Sequence, residues 1–384
     1  MSTDSRSKPL TAAIVFLSAT RLLVNTSQRF VGPFLPAIAR GIGISLGQAG
    51  LLVSARWLVG LLVPGVVGVV GRGERRVRLY MFGLMLFAAG AAVTAATSAF
   101  WGALAGFVML GIAKPVHDIA AQAYVADRTP YAQRARNMSV MELSWAGGLL
   151  VGAPLAGYLI DIGGWTLPFW LFTALATLAL LVAAQILEPD TDISTAKPEK
   201  LALDGAAWGL LVVAGLFSLA AENMTLIIGA WLEDGFALSL VSLGLVSTVV
   251  GLGELGGEGL VLALGDRFGK RRMVMVGLLV SIAAFALFAP MSNNLALGLL
   301  AVAVGLGGFE ISIVAAIPLA TEQRPQAKAR FLAMLVASFA LSRAIGAALG
   351  PFIFVNFGLG WNVVAAVAAD VLALLILLRV VREH

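Results

Sequence analysis

Long apolar runs alternate along this chain with short stretches in which most of the basic residues collect. The runs follow neither a period of two nor a narrow stripe of period 3.6. They are apolar all round, as expected of helices surrounded by lipid or buried in a bundle. A bilayer crossing takes about 20 residues, and the pattern predicts twelve spans: 10–36, 47–70, 79–98, 101–126, 138–160, 165–187, 205–231, 239–263, 273–290, 295–320, 328–355 and 361–379. A closed barrel would instead show alternating segments of about ten residues. Span 1 is too long for the apolar core of a signal peptide and carries Arg21, Asn25 and Arg29. No small-residue cleavage site follows it, so it is expected to be retained.

Composition narrows the class. Of 384 residues, 60% are hydrophobic and only 12% charged, against about 25% charged in a soluble domain. A soluble enzyme, a disordered chain and a nucleic-acid-binding domain are thereby excluded. The chain has no cysteine and two histidines, so disulfides and thiolate metal sites are ruled out and no metal or other cofactor is expected. Walker-type glycine loops, zinc spacings and nucleophile elbows are missing, which argues against an enzyme.

The net charge of +5 reads as membrane orientation. With the N-terminus in the cytoplasm, 20 of the 26 Lys and Arg residues fall on the cytoplasmic side, including Arg6, Lys8, Arg72, Arg75, Arg134, Arg136, Lys197, Lys200 and Arg382. Only Arg40 falls outside and five lie within spans. This predicts a multi-pass protein of the cell membrane, both termini cytoplasmic.

The longest polar segment, Glu188 to Asp204, holds EPDTDISTAKPEK and reads as a cytoplasmic linker between six-helix halves at 1–187 and 205–384. The halves repeat. Arg72 and Arg76 precede Arg267 and Arg271 by 195 residues, and Asp127 and Pro130 precede Glu322 and Pro325 by the same interval. Pro154 lies 197 before Pro351 and Trp165 lies 196 before Trp361. Parallel halves related by an axis along the membrane normal are a transporter architecture.

Two motifs add to this. GDRFGKRR runs from Gly265 to Arg272: Gly269 permits a tight turn, Asp266 can accept from a helix N-terminus or pair with an arginine, and Arg267, Lys270 and Arg271 hold the turn inside. GLLVGAPLAG in span 5 sets Gly148, Gly152, Pro154 and Gly157 for close helix packing, and span 11 repeats the theme with Gly346, Gly350 and Pro351. The GDRFGKRR segment resembles the cytoplasmic signature of the major facilitator superfamily. The span 5 segment is similar to the G-x-x-x-G-P-x-x-G pattern of its antiporters, with Ala153 inserted before the proline. The first-half copy of the signature, GRGERR, departs from the pattern, with Gly71 in the aspartate's place and Glu74 in the glycine's. The resemblance covers nearly the whole chain. It implies an all-α fold of two pseudo-symmetric six-helix bundles, a central cavity lined by spans 1, 4, 7 and 10, and a latch at the signature loop.

Ionisable residues at membrane depth are costly and mark candidate sites. Arg21, Asn25 and Arg29 share one face of span 1, and Lys114, His117 and Asp118 one face of span 4. With Arg56 and Arg343 they are candidate cavity residues. His117 reads more readily as a hydrogen-bonded packing residue. Glu222, Glu254, Glu310 and Asp118 are candidate proton carriers, and Glu258 lies four residues after Glu254. Glu142 reads as an interfacial contact, and nothing in the sequence accounts for Asp370. Trp57, Phe107, Trp145, Phe217 and Phe309 are candidates for lining a pocket or for packing. The basic first half and acidic second half fit either stabilising ion pairs or a site for an anionic group with proton carriers.

The resulting expectation is a monomeric secondary active transporter that exports a small amphiphilic molecule in exchange for protons. A symporter or an organic-anion or lipid carrier of the same fold is the alternative, and a transport-inactive receptor a lesser one.

Overall fold

The computed structural model describes residues 10–70, 76–188, 203–324 and 326–381. The predicted linker therefore lies almost entirely outside the described residues. So do Arg6, Lys8, Pro325, Arg382 and the first-half loop from Gly71 to Arg75, as do the side chains of Arg134 and Arg136. Every regular element among the described residues is helical, and twelve helical stretches are long and apolar enough to cross a membrane.

Span 1 comprises α1 (Leu10–Arg29) and α2 (Val31–Ile42). Spans 2 to 4 are α3 (Leu46–Val70), α4 (Arg76–Ala96) and α5 (Phe100–Arg128). Span 5 comprises α6 (Tyr131–Gly147), a π-helical turn (Gly148–Gly152) and α7 (Ala153–Gly163), and span 6 is α8 (Leu167–Ile186). Span 7 comprises α9 (Gly205–Thr225) and α10 (Ile228–Phe236). Spans 8 to 12 are α11 (Leu240–Phe268), α12 (Lys270–Met291), α13 (Leu295–Gln323), α14 (Lys328–Phe357) and α15 (Leu359–Arg379).

Several helices outrun the apolar windows that predict them. The run predicted to end at residue 36 continues to Ile42, and the one predicted over 138–160 occupies 131–163. Hydropathy marks the part in lipid, whereas the backbone ladder extends until caps or water replace it.

Two features follow the repeat. Span 1 breaks at Phe30 and span 7 at Leu226 and Ile227. The first break has a local cause: Pro33 lacks the N–H that would otherwise bond to the Arg29 carbonyl. The other feature is the proline motif. Span 11 carries Gly346, Gly350 and Pro351 in an uninterrupted α-helix, whereas span 5 holds one extra residue, Ala153. The π turn immediately before Ala153 accommodates it, because i→i+5 pairing takes up one residue without unfolding the helix.

The motif prolines close the bundle at the end away from the termini. A Cβ on Gly244 of span 8 would sit 2.7 Å from the Ala153 carbonyl oxygen and 2.9 Å from Pro154 Cα. One on Gly50 of span 2 would sit 2.9 Å from Pro351 Cγ. Spans 2 and 11, 5 and 8, and the α2–α10 pair thus meet with no room for a side chain. Arg40 spans the same end, donating to both Glu233 oxygens at 2.6 and 3.2 Å.

At the other end, Asp127 pairs with Arg76, which also donates to the Ala123 carbonyl at 2.9 Å. The repeat would give Glu322 to Arg271, but Lys270 takes it. Arg271 turns instead to the last carbonyls of span 12, at Val381 (2.7 Å) and Leu377 (3.0 Å), where the helix dipole favours a cation.

Candidate functional site

Between the closed end and the termini lie two connected sets of polar side chains. The first is built on spans 1, 4 and 5. The periodic face of span 4 places Lys114 and Asp118 one turn apart, with Lys114 Nζ 2.6 Å from Asp118 Oδ2 and 2.7 Å from Asn25 Oδ1. Arg21 reaches both carboxylates of the group. Its guanidinium donates to Glu142 at 2.8 and 3.0 Å, and its Nε stands 3.5 Å from Asp118. Such two-point arginine–carboxylate contacts fix orientation as well as charge.

His117 is fully buried, its ring nitrogens 3.1 Å from Asp118 Oδ1 and 3.2 Å from the Thr20 hydroxyl. Thr20 continues the chain to the Tyr80 hydroxyl at 2.8 Å. Asn25 closes the set by donating to Ser144 at 2.9 Å. Glu142 joins this group from the start of the apolar part of span 5, with a side chain 55% exposed.

The other set crosses between the halves. Arg29, two turns beyond Arg21, leaves the span 1 network and forms an ion pair with Glu254 of span 8 while lying 4.5 Å above the Trp145 ring. Arg343 of span 11 faces Glu222 of span 7 at 3.4 Å, between the rings of Trp57 and Phe309 at 5.0 Å each. The Trp57 indole N–H donates to the same Glu222 carboxylate at 2.9 Å, from the other half. Glu310 is buried at 4% exposure beside these groups. Its charged neighbours are Glu254, Glu258, Arg29 and Arg343, yet among the described residues it makes no hydrogen bond or ion pair. Glu258 lies one turn from Glu254 at the edge of this cluster and is only partly buried.

These groups surround a small void of about 40 Å³ lined by Arg29, Arg56, Glu222, Glu254, Trp145 and Arg343 among others. Beside it, towards the termini, lies a cavity of about 420 Å³, with Arg21, Arg56, Lys114, Asp118, Trp57 and Phe339 in its wall. The expectation of a cavity lined by spans 1, 4, 7 and 10 is thus too narrow. Spans 2, 5, 8 and 11 supply Arg56, Trp145, Glu254 and Arg343 to the same walls. Of the aromatic candidates, Trp57, Trp145 and Phe309 line these spaces. Phe107 lies under Arg56 at 5.6 Å, and Phe217 packs behind Phe309.

The remaining candidates sit elsewhere. Gly148 and Gly152 pack span 5 against Asn25, Thr26 and Arg29 of span 1, and Gly157 meets Leu240 and Phe34. Gly346 and Gly350 lie against the backbone of span 7. Gly269 makes the turn expected of it, with φ +85° between α11 and α12. Asp266 is exposed on the last turn of α11 and makes no ion pair or hydrogen bond among the described residues. Arg267 lies over Phe268. Asp370 is fully buried between spans 12 and 9, neither carboxyl oxygen within hydrogen-bonding geometry of a partner.

Comparison with known proteins agrees with this architecture. The family model described as the Major Facilitator Superfamily matches residues 17–212 and again 210–384. A Lactococcus lactis protein named "Multi-drug resistance efflux pump PmrA homolog" is 25% identical over 306 residues, 74% of each chain. Among solved structures, a bacterial homologue of the human lysosomal transporter Spinster, in an inward-facing and occupied conformation, superposes with a TM-score of 0.76 at 18% identity, covering 97% of both chains. A D-xylose–proton symporter gives 0.76 at 15% identity, covering 97% of this chain and 98% of its own. At such identities the likeness is one of fold.

Proposed function

Because the chain belongs to the Major Facilitator Superfamily, we propose that it is a secondary active transporter that exports a small amphiphilic molecule from the cell in exchange for protons. In this reading the termini are cytoplasmic, so the cavity of about 420 Å³ faces the cytoplasm and the closed end faces out. The carrying observation is the Arg29–Glu254 ion pair across the two halves, next to the unpartnered Glu310.

The chemistry follows from charge balance. An unpaired charge is expensive away from water, and a proton on Glu310 removes one. A proton on Glu254 would release Arg29 and with it one tie between the halves. In the inward-facing state Glu254 is paired with Arg29, the arrangement in which its proton has already left and the substrate can enter. When the halves rock open to the outside, protons reach Glu254 and Glu310 and the substrate departs. Trp57 and Arg343 hold Glu222 on the opposite wall, so the same motion is felt there. The apolar share of the wall, with Trp57, Trp145 and Phe339, suits an amphiphile, and the efflux-pump relative fits export.

The test is proton movement in proteoliposomes containing trapped pyranine, challenged with anionic, neutral and cationic amphiphiles under an imposed pH gradient. Proton flux evoked by one class, and lost in Glu254→Gln and Glu310→Gln, is the expected result. Amphiphile movement indifferent to the gradient, with both variants behaving as wild type, would sink the coupling.

A further inference from the structure

Each cation of the cavity but one has a carboxylate partner, and the exception points to the substrate. Arg21 has Glu142 and Asp118, Lys114 has Asp118, Arg29 has Glu254 and Arg343 has Glu222. Arg56 of span 2 has no carboxylate partner among the described residues. Its side chain is buried at 4% exposure and reaches only two backbone carbonyls, Ser27 and Gln28, at 3.4 and 3.3 Å. These distances are long for hydrogen bonds. Its Nε has no partner at all. The nearest acidic influence is Glu222, already engaged by Trp57 and Arg343. Arg56 lines both the small void and the larger cavity and so stands where the two adjoin.

We propose that the cavity takes an amphiphilic carboxylate whose anionic group sits on Arg56 and whose apolar body lies against Trp57, Trp145 and Phe339. This inference rests on the transport reading and specifies its substrate. A guanidinium with one donor unused and two held only at long range can match a carboxylate by two parallel N–H···O bonds. One unpaired cation balances one negative charge. A dianionic phosphate ester would need a second, and the other cations already have their partners. The ligand's charge supplies the counter-ion that the protein leaves out, so a neutral or cationic analogue forgoes that contact. The long bonds to Ser27 and Gln28 are the competing structural use of Arg56, and head-group selectivity separates the two, since a structural arginine would not sense the ligand's charge.

The experiment is calorimetric titration of the protein in lipid nanodiscs, against empty nanodiscs, with three probes that differ only in the head: 4-cyclohexylbutanoate, 4-cyclohexylbutanamide and 4-cyclohexylbutylammonium. The carboxylate is expected to bind at least about tenfold more tightly than either of the others, the range of a charge-assisted bond. Arg56→Gln is expected to erase that preference, and Arg56→Lys to keep it at reduced affinity. Equal binding of the amide or ammonium, no binding of the carboxylate, or an undiminished preference in Arg56→Gln overturns the proposal. The wild-type ranking needs no variant, so a poorly folding Arg56→Gln does not remove the test. Carboxylate binding through Arg56 without gradient-driven flux would remove the transport reading and leave this site standing. Gradient-driven flux with no preference for the carboxylate would do the reverse.

Discussion

The two halves share a layout but treat buried charge differently. In the first six spans, Arg21, Lys114, Asp118 and Glu142 neutralise one another within one network, which His117, Thr20 and Asn25 extend by hydrogen bonds. In the last six, Glu222 has Arg343 of its own half but also takes a bond from Trp57 of the first, Glu254 pairs across the halves with Arg29, and Glu310 makes no hydrogen bond or ion pair among the described residues. The first arrangement holds its own half together in any state. The second depends on where the halves stand, which is the property a moving part requires. The closed end repeats the division in apolar terms. Span 11 presents Pro351 from an unbroken helix and span 5 presents Pro154 after a π turn, and each docks on a glycine of the other half.

The sharpest way to break this comparison is to remove one carboxylate from each half. Asp118→Asn leaves Lys114 buried without a counter-charge, with only neutral amide oxygens to accept from it, while Arg21 keeps Glu142. Breaking a buried pair costs about 3–5 kcal/mol. The surviving Arg21–Glu142 bond places the expected loss at the lower end, about 3 kcal/mol, read from unfolding in mixed micelles. Glu310→Gln removes no pair, so stability is expected to stay within about 1 kcal/mol or to rise. Equal losses in the two variants would show that Glu310 has a partner as strong as those of Asp118.

A smaller difference separates the two proline motifs. A Cβ on Gly350 would stand 2.7 Å from the Asn223 carbonyl oxygen and 3.1 Å from its Cα. Asn223 cannot yield, because its amide and that of Asn362 are hydrogen-bonded to each other's residue, and Asn362 also donates to the Gly350 carbonyl. Gly350→Ala is therefore expected to cost about 1–3 kcal/mol by overpacking. In span 5 the fit is looser: a Cβ on Gly148 would meet Arg29 Cγ at 3.0 Å and the Asn25 backbone carbon at 3.3 Å, contacts that a shift of a few tenths of an ångström relieves. The better helix propensity of alanine offsets that, leaving Gly148→Ala within about 1 kcal/mol of wild type. The same unfolding measurement checks both, and a larger loss at Gly148 would reverse the order.

Span number and the repeat can be read from the sequence because hydropathy, basic clusters and prolines each carry the period independently. The first-half network can be read in part, since Arg21, Asn25, Lys114, His117 and Asp118 share helix faces. Glu142 stands at the exposed start of its apolar run, and nothing local shows that Arg21 of span 1 reaches it. The π turn has a signal in the extra Ala153, visible once spans 5 and 11 are aligned. Pairings across the halves have no local signal. Arg29 with Glu254, and Trp57 with Glu222, depend on how two bundles sit against each other, and no helix periodicity encodes that. For the same reason the contributions of spans 2, 5, 8 and 11 to the cavity escape a reading that assigns the site to alternate spans.

The smallest expected effect concerns the residues that bracket the linker. Arg128, at the end of span 4, stands 3.7 Å from Glu188 at the end of span 6. Arg324, at the end of span 10, stands 2.5 Å from Asp204, which also caps span 7 by accepting the Ala207 amide at 2.8 Å. The Arg324 hydrogen bond first, and that amide second, hold the Asp204 carboxyl down at about 2, below the usual value near 3.9. A carboxyl lowered in the folded state adds stability above its unfolded value, and that contribution fades as pH falls from about 4 through about 2. The side chain is more than half exposed, so solvent reduces the gain to on the order of a few tenths of a kcal/mol. Asp204→Asn keeps an acceptor for the cap and removes the charge. The expected outcome is a slightly lower stability at neutral pH and a shallower loss between pH 4 and 2 in acid unfolding. Unchanged acid unfolding in that variant would mean that the span 10 to span 7 tie is no stronger than the looser Arg128–Glu188 contact of the first half.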